Sequence, residues 1–304
     1  MSPKVSIIMN CYNSEQYLKE AIESVLNQSY NNYEIIFWDN ASTDNSANIV
    51  KSYNDKRIKY FSSKKTVVVS KARNFALEKC SGEFIAFLDC DDIWMDSKLE
   101  KQVKLFSDKE VGLVFSNSIF FNKNGDIKKN YGYFKPKDGE SFKDLLKKYH
   151  LDIETVMIRK SILDKHKLKF HDNLNFVSDA HLFMRVSLVA KLSYHPDVLA
   201  KWRIHETQQS TKYKLQFYDE VIYMLDDLRN KYFERNTEFH KFFFRAQDKA
   251  MQKKIFYIWQ LKGPKKAQEF IRNTEKQSTK LKFIYFLTLF VPFSLIYRVS
   301  KIIN

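Results

Sequence analysis

Apolar and polar positions come in alternating blocks along the first hundred residues. Val5 to Met9 is a short apolar run that stops at Asn10-Cys11-Tyr12-Asn13, the pattern of a buried strand ending in a polar turn. Ser14 then opens a segment with Tyr17, Leu18, Ala21, Ile22, Val25 and Leu26 at helical spacing, so a capped amphipathic helix is predicted. The sequence of events repeats. Residues 33–38 form a second apolar run that ends in Asp39-Asn40-Ala41-Ser42-Thr43-Asp44, with Ala47, Ile49 and Val50 marking the next helix. A third strand is predicted at 57–62, a third helix at 70–79 and a fourth strand at 83–88. Regular alternation of this kind predicts right-handed crossover units and an α/β, Rossmann-like, mostly parallel sheet flanked by helices, whose ligands bind beyond the carboxyl ends of the strands. Asn10 and Tyr12, Asp39, and Asp89 with Asp91 end three of these four strands, and all are expected to face one crevice.

The fourth strand carries the sharpest chemical signal. Phe84 to Leu88 is apolar and is followed at once by Asp89, Asp91 and Asp92. Like charges so close raise one another's pKa, so a cation is expected among them. Carboxylates on a short turn suit Mg2+ or Mn2+, which keep coordination positions for substrate phosphates. The alternative is a solvated acidic turn before the next helix, with Asp96 as its N-cap and Glu100 in its second turn.

Beyond Lys104 the alternation loosens. A strand is predicted at 111–121, a turn over Asn122 to Asp126, a helix at 141–149, a strand at 154–158 and a helix at 160–167. From Lys214 helical periodicity returns, over 215–231 and 242–261, until Gly263-Pro264 breaks it. Residues 283–297 form 15 positions without a charge, flanked by Lys280, Lys282, Arg298 and Lys301. Such a run is shorter than the roughly 20 residues that span a bilayer. An interfacial helix over about 281–303, resting on an anionic leaflet, is expected. The alternatives are a terminal helix packed on the sheet, or on a second copy of the chain in a homo-oligomer.

Composition adds three constraints. The 304 residues carry 44% hydrophobic positions with only Gly 6 and Pro 5, which excludes collagen-like and low-complexity classes. Net charge is +15, which points to an anionic partner: nucleic acid, a nucleotide or an anionic membrane. Basic residues are spread along the chain and concentrated in the tail beside apolar residues, so a nucleic-acid-binding protein ranks below the other readings. Cys11, Cys80 and Cys90 have neither the count nor the spacing of a disulfide framework or zinc site, and a reducing compartment is the default. Met1 to Lys4 leads straight into a strand, so no signal peptide is expected. No G-x-G-x-x-G or Walker lysine loop follows any strand. The absence of a glycine-rich loop after the first strand also counts against a nucleotidyltransferase, the nearest alternative enzyme class.

The motifs Val5-Ser-Ile-Ile-Met-Asn-Cys-Tyr-Asn13, Gln28-Ser-Tyr, Glu34-Ile-Ile-Phe-Trp-Asp39-Asn-Ala-Ser-Thr-Asp44, Ala72-Arg73-Asn74 and Gly82-Glu-Phe-Ile-Ala-Phe-Leu-Asp89-Cys-Asp91-Asp92 resemble, in this order and spacing, those of glycosyltransferase family 2. The resemblance runs from Val5 to about Ser210. It implies a GT-A catalytic domain over 1–212, with a nucleotide-sugar half at about 1–110 and an acceptor half at about 111–212, followed by a helical, basic C-terminal region at 213–304. The implied reaction is metal-dependent, inverting transfer of a sugar from a nucleotide donor, with UDP favoured because most of this family uses UDP-sugars. Tyr12 would stack on the base, Asp39 would read its polar edge, and Asn10 and Asn13 lie in the same turn. Arg73 would approach the base or the diphosphate. Asp89 would bond the ribose, and Asp91 would ligate Mn2+ or Mg2+, with Asp92 a further candidate.

Two later stretches extend the resemblance. Asp179-Ala-His-Leu182-Phe-Met-Arg185 fits the helix start whose acid is the catalytic base, making Asp179 the candidate. An inverting displacement needs one carboxylate to take the acceptor hydroxyl's proton as its oxygen attacks. His181, next to it, reads as a surface histidine. Trp202-Arg203-Ile-His205-Glu-Thr-Gln208-Gln-Ser210 resembles the family's flap over the donor diphosphate. Arg203 is a further candidate there, and His205 would complete the metal's coordination, which favours manganese. Departures are Asn40 for a usual aspartate, Ala41 for glycine, Asp96 for proline, and Ser178 for the glutamate that usually precedes the base. Together these features imply a cytoplasmic enzyme on the inner face of the cell membrane, extending a glycan or glycolipid acceptor in polysaccharide biosynthesis.

Overall fold

A computed structural model describes residues 3–132, 135–139, 141–206, 208–233, 237–274, 278–291 and 293. The chain forms two compact units, Met1–Glu206 and Thr207–Asn304.

In the first unit β1 (Val5–Cys11), α1 (Glu15–Leu26), β2 (Tyr33–Asp39), α2 (Ser46–Lys51), β3 (Ile58–Ser62), α3 (Val69–Leu77) and β4 (Phe84–Phe87) follow one another as the alternation predicts. Leu18, Ala21, Ile22 and Val25 on one face of α1 are buried in the main core. Each of the larger three contributes about 1.5–3 kcal/mol by leaving water. The strands β3, β2, β1 and β4 lie side by side and parallel. In β1, β2 and β4 every position but Asn10 is buried, which is why these strands read as mainly apolar runs rather than alternating ones. Register puts Cys11 beside Asp39 and Ile8 beside Phe87, so the polar turns after all three strands emerge on one edge.

Two residues at the opposite end hold this arrangement. A Cβ on Gly82 would come within 2.6 Å of the Ser6 backbone nitrogen, so only glycine allows β4 to start this close to β1. Glu34 is buried and accepts hydrogen bonds from Lys59 and Ser6 at 2.6 Å, from the Ser81 amide at 2.8 Å and from Lys4 at 2.9 Å. Burial opposes its charge, but these donors outweigh burial and keep its pKa below the ordinary glutamate range.

Past β4 come β5 (Ile93–Trp94), α4 (Lys98–Leu105), β6 (Val111–Asn122), β7 (Gly125–Lys129), α5 (Phe142–Lys147), a 3-10 turn (Ile153–Thr155), β8 (Met157–Arg159), α6 (Lys160–Lys165), α7 (Ser178–Val186) and β9 (Lys191–Arg203). The sheet continues in the order β4-β8-β6-β9-β5, with β7 on β6. Here the pairing is mixed: β8 is antiparallel to both β4 and β6, β9 is parallel to β6, and β5 is antiparallel to β9. The turn between β6 and β7 is too short for any but an antiparallel return, and Gly125 supplies its positive φ of 112°.

Several elements differ from the sequence reading, among them the short strands β5 and β7, which it did not predict. The strand expected at 154–158 begins later, because Thr155 folds back on Asp152 through its amide at 2.9 Å and its hydroxyl at 2.6 Å, which makes the 3-10 turn. Strand β9 had no sequence counterpart. Lys191, His195, Asp197 and Lys201 break its apolar pattern, and its pairing with β6 slips where Pro196 and Asp197 bulge out between His195 and Val198.

The second unit is helical: α8 (Gln209–Lys212), α9 (Lys214–Tyr232), α10 (Thr237–Lys262), α11 (Pro264–Arg272) and α12 (Thr279–Phe290). Gly263, at φ 84°, and Pro264 at the first position of α11 separate α10 from α11. Ile255, Ile258, Trp259, Ile271, Leu281 and Ile284 form the core of this unit. On α12, Phe283, Phe286, Leu289 and Phe290 are exposed. Among the described residues no helix is long and apolar enough to cross a membrane. Of the apolar segment expected at 281–303, residues 292 and 294–303 lie outside the described residues.

Candidate functional site

The turns after β1 and β2 are laced together. The Asn13 amide donates to Ser42 Oγ at 3.0 Å, and the Thr43 amide donates to Asn13 Oδ1 at 2.8 Å. Asn13 and Ala41 take positive φ, 50° and 62°. Asparagine tolerates that region and alanine bears a strain there, which accounts for glycine being the usual occupant of the second position. Tyr12 is 46% exposed and Asp39 only 3%. Asp39 accepts from the Ser42 amide at 2.8 Å and from the Tyr60 hydroxyl at 2.7 Å. Burial and this bond push the Tyr60 phenol up to about 12, so it stays a donor. Asn10, near the end of β1, has both side-chain polar atoms buried and without a partner among the described residues.

Arg73 ties this edge of the sheet to α7. It is 7% exposed, donates to both Asp89 oxygens at 3.1 and 3.4 Å and to Ser178 Oγ at 3.1 Å, and packs over the Phe170 ring. Ser178 thus serves Arg73, while the next residue, Asp179, sits in the first turn of α7. Burial raises the Asp89 carboxyl; Arg73 lowers it and Asp91 raises it further. Burial also raises Asp179, against Arg73 and the Ala180 amide. His181 is a correction to the sequence reading. It is 1% exposed, its ring edge-on to His171 at 5.2 Å, because α7 buries nearly its whole circumference.

The turn Asp89 to Asp92 meets the end of β9. His205 Nε2 and Asp91 Oδ2 are 2.9 Å apart. Asp92 points inward, taking the Arg203 amide at 2.8 Å through Oδ1 and leaving Oδ2 buried without a partner among the described residues. Burial, with Asp91 and Glu154 nearby, raises its pKa well above the ordinary aspartate value. Arg203 donates from Nε to the Asp91 carbonyl at 2.7 Å and from its guanidinium to Glu20, held between the rings of Tyr17 and Phe121 at 4.4 Å each. Arg203 and Asp92 therefore fix the turn, and Asp91 with His205 presents the donor atoms.

A carboxylate and an imidazole in contact form a donor set that suits Mn2+ or Mg2+. Among the described residues no group of three or more His, Cys, Asp or Glu is arranged around one point. A divalent ion held here would take its other ligands from phosphate oxygens and water. The structure brings Tyr12, Asn13 and Asp39 together on one side, Arg73, Asp89 and Asp179 across the centre, and Asp91, Arg203 and His205 on the other. Sequence reasoning missed Tyr60 and Glu20, whose positions carry no local signal of a partner in another element.

Comparison with known proteins follows the same outline. Residues 6–167 match the family model described as Glycosyl transferase family 2. The chain is 35% identical over 166 residues to the UDP-Glc:alpha-D-GlcNAc-diphosphoundecaprenol beta-1,3-glucosyltransferase WfgD of Escherichia coli, covering 55% of this chain and 64% of that protein. It is 34% identical over 253 residues to an uncharacterized glycosyltransferase of Methanocaldococcus jannaschii, covering 80% and 86%. Among solved structures, S. aureus TarS in complex with UDP-GlcNAc superposes with a TM-score of 0.64 at 20% identity, over 85% of this chain and 83% of that one. Mannosyltransferase PcManGT from Pyrobaculum calidifontis, in complex with GDP-Man and Mn2+, gives 0.64 at 17% identity, over 97% and 83%. At these identities the structural likeness is one of fold.

Proposed function

The chain belongs to glycosyltransferase family 2 and has the GT-A fold, and from that premise we propose that it moves a sugar from a UDP-sugar to a hydroxyl of a glycan or lipid-linked glycan, inverting the anomeric centre in one displacement. The observation that carries this reading is the convergence of Tyr12, Asp39 and the Asp91–His205 pair on one edge, with Asp179 joined to that edge through Ser178, Arg73 and Asp89. Tyr12 offers its face to a pyrimidine, and Asp39 accepts from the base N–H. Asp91 and His205 would hold Mn2+ or Mg2+, which when bound neutralises charge on the departing diphosphate. Asp179 takes the proton of the acceptor hydroxyl, and Arg73 holds Asp89 and the start of α7 in register. UDP is favoured over other nucleotides because the E. coli relative is named for UDP-Glc and TarS was solved with UDP-GlcNAc.

UDP release from a panel of UDP-sugars, measured with and without Mn2+ and with no acceptor, tests this. One donor is expected to give metal-dependent release. No release from any donor, together with no UDP binding by calorimetry, would remove the nucleotide-sugar assignment.

The basic tail fits a peripheral place on the inner face of the cell membrane. Phe283, Phe286, Leu289 and Phe290 face out from α12 while Leu281 and Ile284 pack inward, and Lys280 and Lys282 stand beside them. Aromatic residues next to lysines suit the boundary of an anionic leaflet, where a lipid-linked acceptor is held. The full chain is expected to sediment with phosphatidylglycerol vesicles and not with phosphatidylcholine vesicles, and Phe283→Ser with Phe286→Ser is expected to release it. Equal partition with both lipids, or a concentration-dependent dimer that hides α12 instead, would rule out the membrane role.

A further inference from the structure

A cavity of about 250 Å3 lies between the end of β7 and the 3-10 turn, with Asn130, Tyr131, Lys148, Tyr149, His150 and Asp152 in its wall. That is just under the roughly 300–1,000 Å3 of pockets that take drug-sized ligands, and it suits a single ring. Helix α5, which ends shortly before Tyr149, packs against α7, whose first turn carries the candidate base. The cavity and Asp179 are therefore neighbours.

Two wall residues have unused hydrogen-bonding capacity. The Tyr149 hydroxyl oxygen is buried and has no partner among the described residues, which is unusual for a buried phenol. After burial, the charges that act most on that phenol are Asp179 and then Asp152, and together they keep it protonated. Asp152 accepts from Ser118 at 2.7 Å and from Asn130, both at Oδ2, and among the described residues its other oxygen has no such bond. Asp152 also feels the Asp179 charge. A phenol donor, a carboxylate acceptor and aromatic walls are the groups that hold a polyhydroxylated ring. Ser178, beside Asp179, is engaged by Arg73 and does not compete for this role.

We propose that this cavity is the subsite for the terminal sugar of the acceptor, in which Asp152 accepts from ring hydroxyls and Tyr149 donates to a ring oxygen, holding a further hydroxyl toward Asp179. The proposal rests on the reading of Asp179 as the base and extends it to the acceptor side.

Saturation-transfer NMR on the full chain, with the methyl glycosides of glucose, N-acetylglucosamine and mannose and no nucleotide, tests the subsite apart from the donor half. At least one glycoside is expected to receive saturation, and Tyr149→Phe and Asp152→Asn are each expected to weaken its binding at least tenfold with UDP affinity unchanged. Tyr149→Phe removes only an unpartnered hydroxyl, so this variant keeps the fold. The proposal is overturned if no glycoside receives saturation, if both variants bind as the wild type does, or if UDP affinity falls in step with glycoside binding. A wild-type chain that binds no UDP would instead refute the donor assignment, whatever the glycoside result.

Discussion

Asp179→Asn is expected to lower kcat by about 10²–10⁴-fold, the range that a positioned general base contributes, while UDP binds as before. The amide has the shape of the carboxylate and keeps the first turn of α7, but it cannot take a proton at neutral pH. Ser178 is bound to Arg73 and Asp89 is paired with the same guanidinium, so neither neighbour is placed to take over from Asp179. The pH profile follows from the same geometry. Burial raises the Asp179 carboxyl and Arg73 opposes the rise without cancelling it. The base works only when ionised, so activity climbs with pH through a pKa above the ordinary aspartate value of about 3.9, and is lost as pH falls through it. Steady-state kinetics over pH, with calorimetry of UDP, reads both effects. Turnover at the wild-type rate in the variant would send the search for the base elsewhere.

Asp91→Ala is expected to abolish the metal-dependent part of UDP binding, so that the Kd in Mn2+ rises to the value in EDTA. Altering even an outer partner of a metal ligand typically costs 10–100-fold in affinity, and removal of a ligand itself costs at least as much. The substitution is informative because the turn does not depend on the side chain it removes. Arg203 holds the turn through the Asp91 carbonyl and through the Asp92 carboxylate, and both bonds survive in the variant. Thermal stability is therefore retained while the metal effect disappears. An unchanged UDP affinity in Mn2+ would show that Asp91 is not the ligand.

Parts of the candidate site's geometry were legible in the sequence for a physical reason. Strands buried on both faces read as largely apolar runs, interrupted in β1 and β2 only by Ser6 and Glu34, and the polar residues that end β1, β2 and β4 stand out against them. Parallel pairing then brings Tyr12, Asp39 and Asp89 to one edge without further information. What local pattern does not carry is contact between distant segments. Arg73 and Ser178 are 105 positions apart, and Asp92 and Arg203 are 111 apart; no period of 2 or 3.6 marks either pair. His181 read as a surface residue because it follows the charged start of a helix at Asp179, whereas α7 buries it together with Ala180, Leu182 and Phe183. Strand β9 was hidden by its lysines and by the Pro196 bulge. Tyr149 and Asp152 carry no motif at all, and only the cavity between them singles them out.

The clamp at Arg203 bears on the order in which the molecule can assemble. The carboxylate turn is complete when residue 92 has been made, but its fastening is supplied by residues 203 and 205, across separations of 111 to 114 positions. At the usual 5–20 residues per second of synthesis, that leaves on the order of ten seconds in which a growing chain owns Asp91 but has nothing to hold it in place. Closing so long a loop costs entropy that only the finished sheet returns. On the proposed function, competence to grip a diphosphate would thus arrive with β9, late and all at once, and a half-made chain would be spared from sequestering nucleotide that it has no means to use.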